Sequence, residues 1–199
     1  MKFVEILLVF VLLSVNGCKE KTTLYYPNKD WFESGSSLVK INHRALNFEQ
    51  LRNEVSNIYQ KEKVPYIEIH KGDTVSKVIP MQYDGYGLYK GRNFITITKD
   101  SVFTMIDNQK IDQLQSIMVE QYGNNGKNPE YSQDAKSVTI IIDMPIIENG
   151  IEIEKIIFKL IKTFNKVNAQ FKNNIELNIV FNYGQTAPPP PPPPSGPIN

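Results

Sequence analysis

The sequence predicts an α+β fold, a two-layer sandwich in which helices lie on one face of a mixed sheet. Three observations predict it. Helix-period apolar stripes alternate with short β-favouring runs along most of residues 38–183. Each of the longer stripes has a strand-like run on both sides, the arrangement of layered folds rather than bundles. The run Val138-Thr139-Ile140-Ile141-Ile142 is nearly all β-branched and apolar, as expected of a central strand covered on both faces.

The chain opens on an apolar core whose residues 6–15 comprise nine apolar residues and one serine. That is the length of an export-signal core and falls short of the ~20 residues a spanning helix needs. It ends in Val15-Asn16-Gly17-Cys18, with a small residue before the cysteine and a branched apolar residue three places upstream. This resembles the bacterial lipobox. The resemblance implies that residues 1–17 are a removed signal peptide and that Cys18 becomes a diacylated N-terminus, whose two acyl chains suffice for stable attachment. Cys18 is the single cysteine of the chain, in keeping with exported proteins, which pair their cysteines or avoid them. Lys19 after the cysteine resembles outer-membrane sorting in some Gram-negative bacteria. The expected location is therefore the cell envelope, lipid-anchored and periplasm-facing, at the outer rather than the inner membrane.

Residues 18–37 are polar, hold one proline and end in Gly35-Ser36-Ser37, which predicts a lipidated tether. Tyr25, Tyr26, Trp31 and Phe32 within it either pack back onto the domain, where large aromatics gain most from burial, or sit at a headgroup interface. With 22 Lys+Arg against 21 Asp+Glu, the chain has no long-range field to draw it to nucleic acid.

Residues 38–82 read as a strand-helix-strand unit. Residues 38–42 favour β structure. Phe48, Leu51, Val55, Ile58 and Tyr59 then share one stripe of a helix over 48–61. Asn47 suits the N-cap with Gln50 at the third helical position, and Leu46 with Leu51 fits a hydrophobic staple. Residues 66–70 alternate with period two behind Pro65.

Residues 83–93 are rich in turn formers, and residues 94–183 form a second unit of order ββαβαβ. Residues 94–99 and 102–106 read as a hairpin. Ile111, Leu114, Met118 and Tyr122 mark a helix capped by Asp107 or Asn108, and 123–136 is expected to be an exposed loop. Strand 138–142 ends at Asp143. Ile153, Ile156, Ile157, Leu160, Ile161, Phe164 and Val167 give the strongest helical periodicity in the chain, and a strand over 175–181 closes the unit. Beyond it, residues 184–199 are expected to be a disordered tail. Its run from Pro188 to Pro194 is expected to adopt polyproline II and to serve as an inert terminus, a spacer or a ligand for an aromatic groove.

Ile95-Thr96-Ile97, Asp100, Leu114, Asp143 and the helix over 153–164 stand in an order that resembles the periplasmic domain of the ExbD/TolR biopolymer-transport family. The resemblance implies partnership with ExbB/TolQ-type motor subunits. Family members carry a membrane helix with a proton-carrying aspartate. Here an uncut first segment with Glu5 in that role is the alternative to a cleaved signal.

Lys71-Gly72-Asp73-Thr74 through Val78 resembles the opening of the LysM peptidoglycan-binding motif, which implies a helix after the Gly-Asp pair. Pro80 would break that helix, and the competing reading is a Gly-Asp turn. Tyr83, Tyr86 and Tyr89 add to a glycan-binding alternative. His43 and His70 are the only histidines and lack metal-ligand spacing. No nucleophile motif or phosphate loop is present in the sequence. The expectation is a non-enzymatic binding or scaffold protein without cofactor or metal. Its partners are the membrane, through the anchor, and an envelope protein or a second copy of the chain, met by strand addition at an exposed sheet edge.

Overall fold

The computed structural model describes residues 21–82, 90–172 and 174–182. In chain order the elements are β1 (Thr22–Tyr26), a one-turn helix α1 (Asp30–Glu33), β2 (Leu38–Lys40), α2 (Phe48–Gln60), β3 (Val64–Lys71), β4 (Thr74–Val78) and β5 (Pro80–Met81). Then follow β6 (Phe94–Ile97), β7 (Ser101–Phe103), β8 (Asn108–Lys110), α3 (Leu114–Gly123), β9 (Thr139–Ile142), α4 (Gly150–Gln170) and β10 (Asn178–Phe181). The α+β class holds, but the single sheet expected of it is divided in two.

A four-stranded sheet has the order β1-β4-β3-β2 and a six-stranded sheet the order β5-β10-β9-β6-β7-β8. The break falls at Ile79, where the chain leaves β4 and enters β5. Pro80 has no amide to donate, so β5 stands at the edge of the second sheet, where only one side needs pairing. Three helices serve as crossovers between parallel neighbours: α2 joins β2 to β3, α4 joins β9 to β10, and α3 lies between β6 and β9.

One hydrophobic core nonetheless spans both sheets. The predicted stripe of α2 supplies Phe48, Leu51, Val55 and Ile58, all buried, and α4 buries every residue of its predicted stripe. β10 is buried along its whole length, whereas Thr139 and Ile141 of β9 are only half-buried, so β9 is closed fully on one face alone.

Two further expectations are corrected. The predicted tether is folded from residue 22 onward, because β1 pairs in parallel with β4 along all five of its residues. Tyr26 is buried, its ring edge-on to Phe164 at 6.0 Å and its hydroxyl donating to Asn165 Oδ1 at 2.9 Å. Asp107 and Asn108 do not cap α3, which Gln113 precedes after a turn of 3-10 helix. Asp107 instead closes the β7–β8 hairpin, accepting from the Asn108 amide at 2.7 Å.

The helices α2 and α4 begin against each other. Asn47 caps α2 in the expected capping box with Gln50, and Asn149 caps α4 by accepting from the amides of Ile151 and Glu152. These two caps form an isolated antiparallel bridge. The amides of Phe48 and Glu49, orphaned at a helix start, donate to the carbonyls of Glu148 and Ile146 at 2.8 and 3.1 Å.

The approach is so close that a Cβ on Gly150 would lie 2.0 Å from the His43 carbonyl oxygen and 2.7 Å from Arg44 Cα. Both obstacles are backbone and cannot swing away. Gly150→Ala is therefore expected to lower stability by about 3 kcal/mol, read as a fall in thermal midpoint. Asn165→Ala, which removes only the hydrogen bond to Tyr26, is expected to cost about 1 kcal/mol.

Candidate functional site

At the end of β2 the chain turns through a 3-10 segment, His43–Ala45, that places two basic side chains against the first turns of α4. The carboxylate of Glu154 receives both. Arg44 binds it in bidentate fashion, Nε to Oε2 at 2.5 Å and Nη2 to Oε1 at 2.6 Å, and His43 Nε2 meets Oε2 at 2.9 Å. His43 is buried and Glu154 nearly so, while Arg44 is largely exposed.

A second carboxylate, Glu68 on β3, lies on the outer face of the four-stranded sheet opposite Lys77 on β4. Lys40 bonds it from the neighbouring strand, with His70 Nε2 at 3.4 Å and Lys77 Nζ at 3.9 Å. The two groups share a cleft of about 520 Å³ lined by Lys40, Ile41, Asn42, His43, Arg44, Glu68 and His70.

The electrostatics follow from these contacts. The Arg44 guanidinium, aided by His43, holds the Glu154 carboxyl below its ordinary value against the opposing effect of burial. Burial pushes Glu68 upward, but Lys40, His70 and Lys77 together outweigh it and hold that carboxyl low as well. Two ionised carboxylates are thus each held by several cationic or imidazole donors. Such an arrangement ties chain segments together and leaves neither carboxylate as a free base. Among the described residues no group of three or more His, Cys, Asp or Glu could hold a metal ion, and no helix is long and apolar enough to cross a membrane.

Sheet edges are the other candidate surfaces. At β8 the edge is short and partly blocked, because Asp107 already accepts from the Asn108 amide. The β1 edge is longer. Thr22 donates to the Asp73 carbonyl and Tyr26 accepts from Ile79, so Thr22, Leu24 and Tyr26 face β4 while the backbone groups of Thr23 and Tyr25 point outward.

Of the sequence-predicted site residues, Cys18, Glu5 and the tyrosines at 83, 86 and 89 lie outside the described residues, as do the first segment and the proline run. The helix implied by the LysM resemblance is not formed. Residues 74–78 are strand β4, and Gly72, with φ of +56°, turns the hairpin so that Lys71 faces Thr74. His43 and His70, far apart in sequence, line the same cleft. Sequence reasoning also missed the order of the loop after α3. Buried Asn124 donates to the Asn128 and Ser132 carbonyls, and the Ser132 amide donates to Gln121 Oε1 at 3.0 Å. The repeated Asn residues there were the available signal, since their side chains close turns.

Fold and site together define an α+β protein of two mixed sheets with a charge-locked cleft at one sheet end. No protein-family model matches the chain, and no curated protein and no solved structure matches it either.

Because the Glu154 carboxyl is held low in the fold, its contribution is complete above the ordinary glutamate value of 4.5 and is lost as pH falls below it. Glu154→Gln is expected to cost on the order of 1–2 kcal/mol at neutral pH. It should also flatten the loss of stability below pH 4.5, measured as denaturation midpoint against pH.

Proposed function

We propose that this chain is a lipid-anchored protein of the cell envelope whose folded body binds a partner. The observation that carries this reading is the distance between anchor and fold. β1 begins at Thr22, four residues along from Cys18. Four residues span at most about 14 Å. A lipid on Cys18 would therefore hold the body at the membrane surface, with the Thr22 end of the four-stranded sheet turned toward it.

The open β1 edge then lies beside the membrane, where an extended segment of a membrane-bound partner, or of a second copy, can add as a further strand. The order β6, β7, α3, β9, α4, β10 supports the ExbD/TolR-like reading, with β8 as an addition to it. On that reading the partner belongs to an ExbB/ExbD-type energy-transduction or transport assembly, in which this chain is an accessory and not the motor.

Mass spectrometry of the membrane-extracted protein tests the anchor. The expected product begins at Cys18 and carries a diacylglyceryl group, and Cys18→Ser releases the body from the membrane. An uncut chain retaining Glu5 would overturn the reading. Photocrosslinkers at Thr23 and at Gln109 test the edge, with capture of an envelope protein or a second copy expected from Thr23 alone.

A further inference from the structure

At the end of the four-stranded sheet opposite Thr22, a second concavity of about 360 Å³ is lined by Asn28, Asp30, Trp31, Ser34, Ser36 and Val64. Trp31 is the only tryptophan of the chain, and 39% of it is exposed. Its backbone is held firmly for so exposed a residue. The Trp31 amide donates to Asn28 Oδ1 at 3.3 Å, and the Ser34 hydroxyl donates to the Trp31 carbonyl at 3.1 Å. Asn28 is in turn fixed by its own donation to Glu176 Oε1 at 2.6 Å. The one-turn helix that presents Trp31 is thereby closed on itself by Ser34 and tied to the body through Asn28.

The groups around the indole divide into those that build the site and those left to meet a ligand. Asn28 is engaged through both its Nδ2 and its Oδ1. Ser34 and Ser36 share one hydroxyl contact at 3.2 Å, and Lys29 is occupied by Glu33 at 2.7 Å. Among the described residues, the Asp30 carboxylate and the indole N–H of Trp31 make no hydrogen bond or salt bridge, although the Asp30 charge acts at longer range on Lys29. The cleft thus offers a wide aromatic surface with a free carboxylate and hydroxyls at its rim.

We infer that this cleft is a saccharide-binding site. A pyranose presents C–H bonds on one face and hydroxyls at its edge. The C–H face suits the electron-rich face of an indole, and the edge hydroxyls suit Asp30 as acceptor and Ser36 as donor or acceptor. The volume accommodates a disaccharide-sized ligand. The position separates this reading from insertion of Trp31 into lipid. Thr22 pairs with Thr74, and Thr74 with Lys71, whereas Val64 is seven residues back along β3. At the ~3.3 Å rise of a strand that places the cleft roughly 23 Å from the membrane-proximal end. This orientation rests on the proposed anchor at Cys18; the chemistry of the cleft does not.

The single tryptophan makes the test specific. The intact protein in lipid nanodiscs is titrated with chitotriose, a soluble trimer of N-acetylglucosamine, while Trp31 emission is followed. A saturable change is expected, with no quenching when the nanodisc lipid is brominated. By calorimetry Asp30→Asn and Trp31→Ala should each weaken binding about tenfold or more, whereas Glu33→Gln leaves it unchanged. Absence of a saturable response, wild-type affinity in both variants, or quenching by brominated lipid would each overturn the inference. The titration is repeated on Cys18→Ser protein in solution, where the same sugar response is expected, so a failed anchor and a failed saccharide site give different results.

Discussion

The structure depends on how closely two helix starts can approach. α2 and α4 each require a cap and a set of acceptors for their first amides, and each takes part of that set from the other's approach segment. Asn47 and Asn149 bridge, the carbonyls of Ile146 and Glu148 serve α2, and Gly150 lets the His43 carbonyl come where any side chain would forbid it. This contact joins the β2–α2–β3 crossover to the β9–α4–β10 crossover, so the two sheets close on one core.

The charged cleft is a consequence of that approach. Once Gly150 admits the 3-10 turn, His43 and Arg44 arrive over the second turn of α4, and Glu154 is the residue that faces them. A charged group buried this far is tolerated only with partners, and the bidentate guanidinium supplies the strongest available geometry. The same reasoning explains why the cleft looks chemically rich yet holds no free base. Its charges are occupied in positioning, and the groups with spare valence lie elsewhere, at the β1 edge and around Trp31.

Much of the architecture was legible from pattern. The stripes of α2 and α4, the Asn47 capping box and the strands and helices of residues 94–182 other than β8 emerge from local rules of spacing and capping, because a helix face or an alternating strand writes its burial into sequence directly. Other features were not. Residues 22–26 lie in a polar segment with a proline and a glycine nearby, and nothing local says that a parallel strand far along the chain will receive them. Lys71-Gly72-Asp73-Thr74 fits both a hairpin and a helix start, and only pairing with Ile67 to Lys71 decides for the hairpin. Asp107 suits a cap or a turn equally well, and the β7–β8 pairing takes it for the turn.

The sequence by itself determined the class of fold, the apolar stripes and the placement of a lone cysteine behind an apolar core, since each rests on covalent order and short-range periodicity. Tertiary structure alone decided that one expected sheet would be two and that His43 and His70 would share a cleft. It also brought Trp31 beside Asn28, Asp30 and Ser36 in a formed concavity. These are matters of which distant segments meet, and that is settled by the joint demands of burying one core and satisfying every buried amide, which no single stretch of chain records.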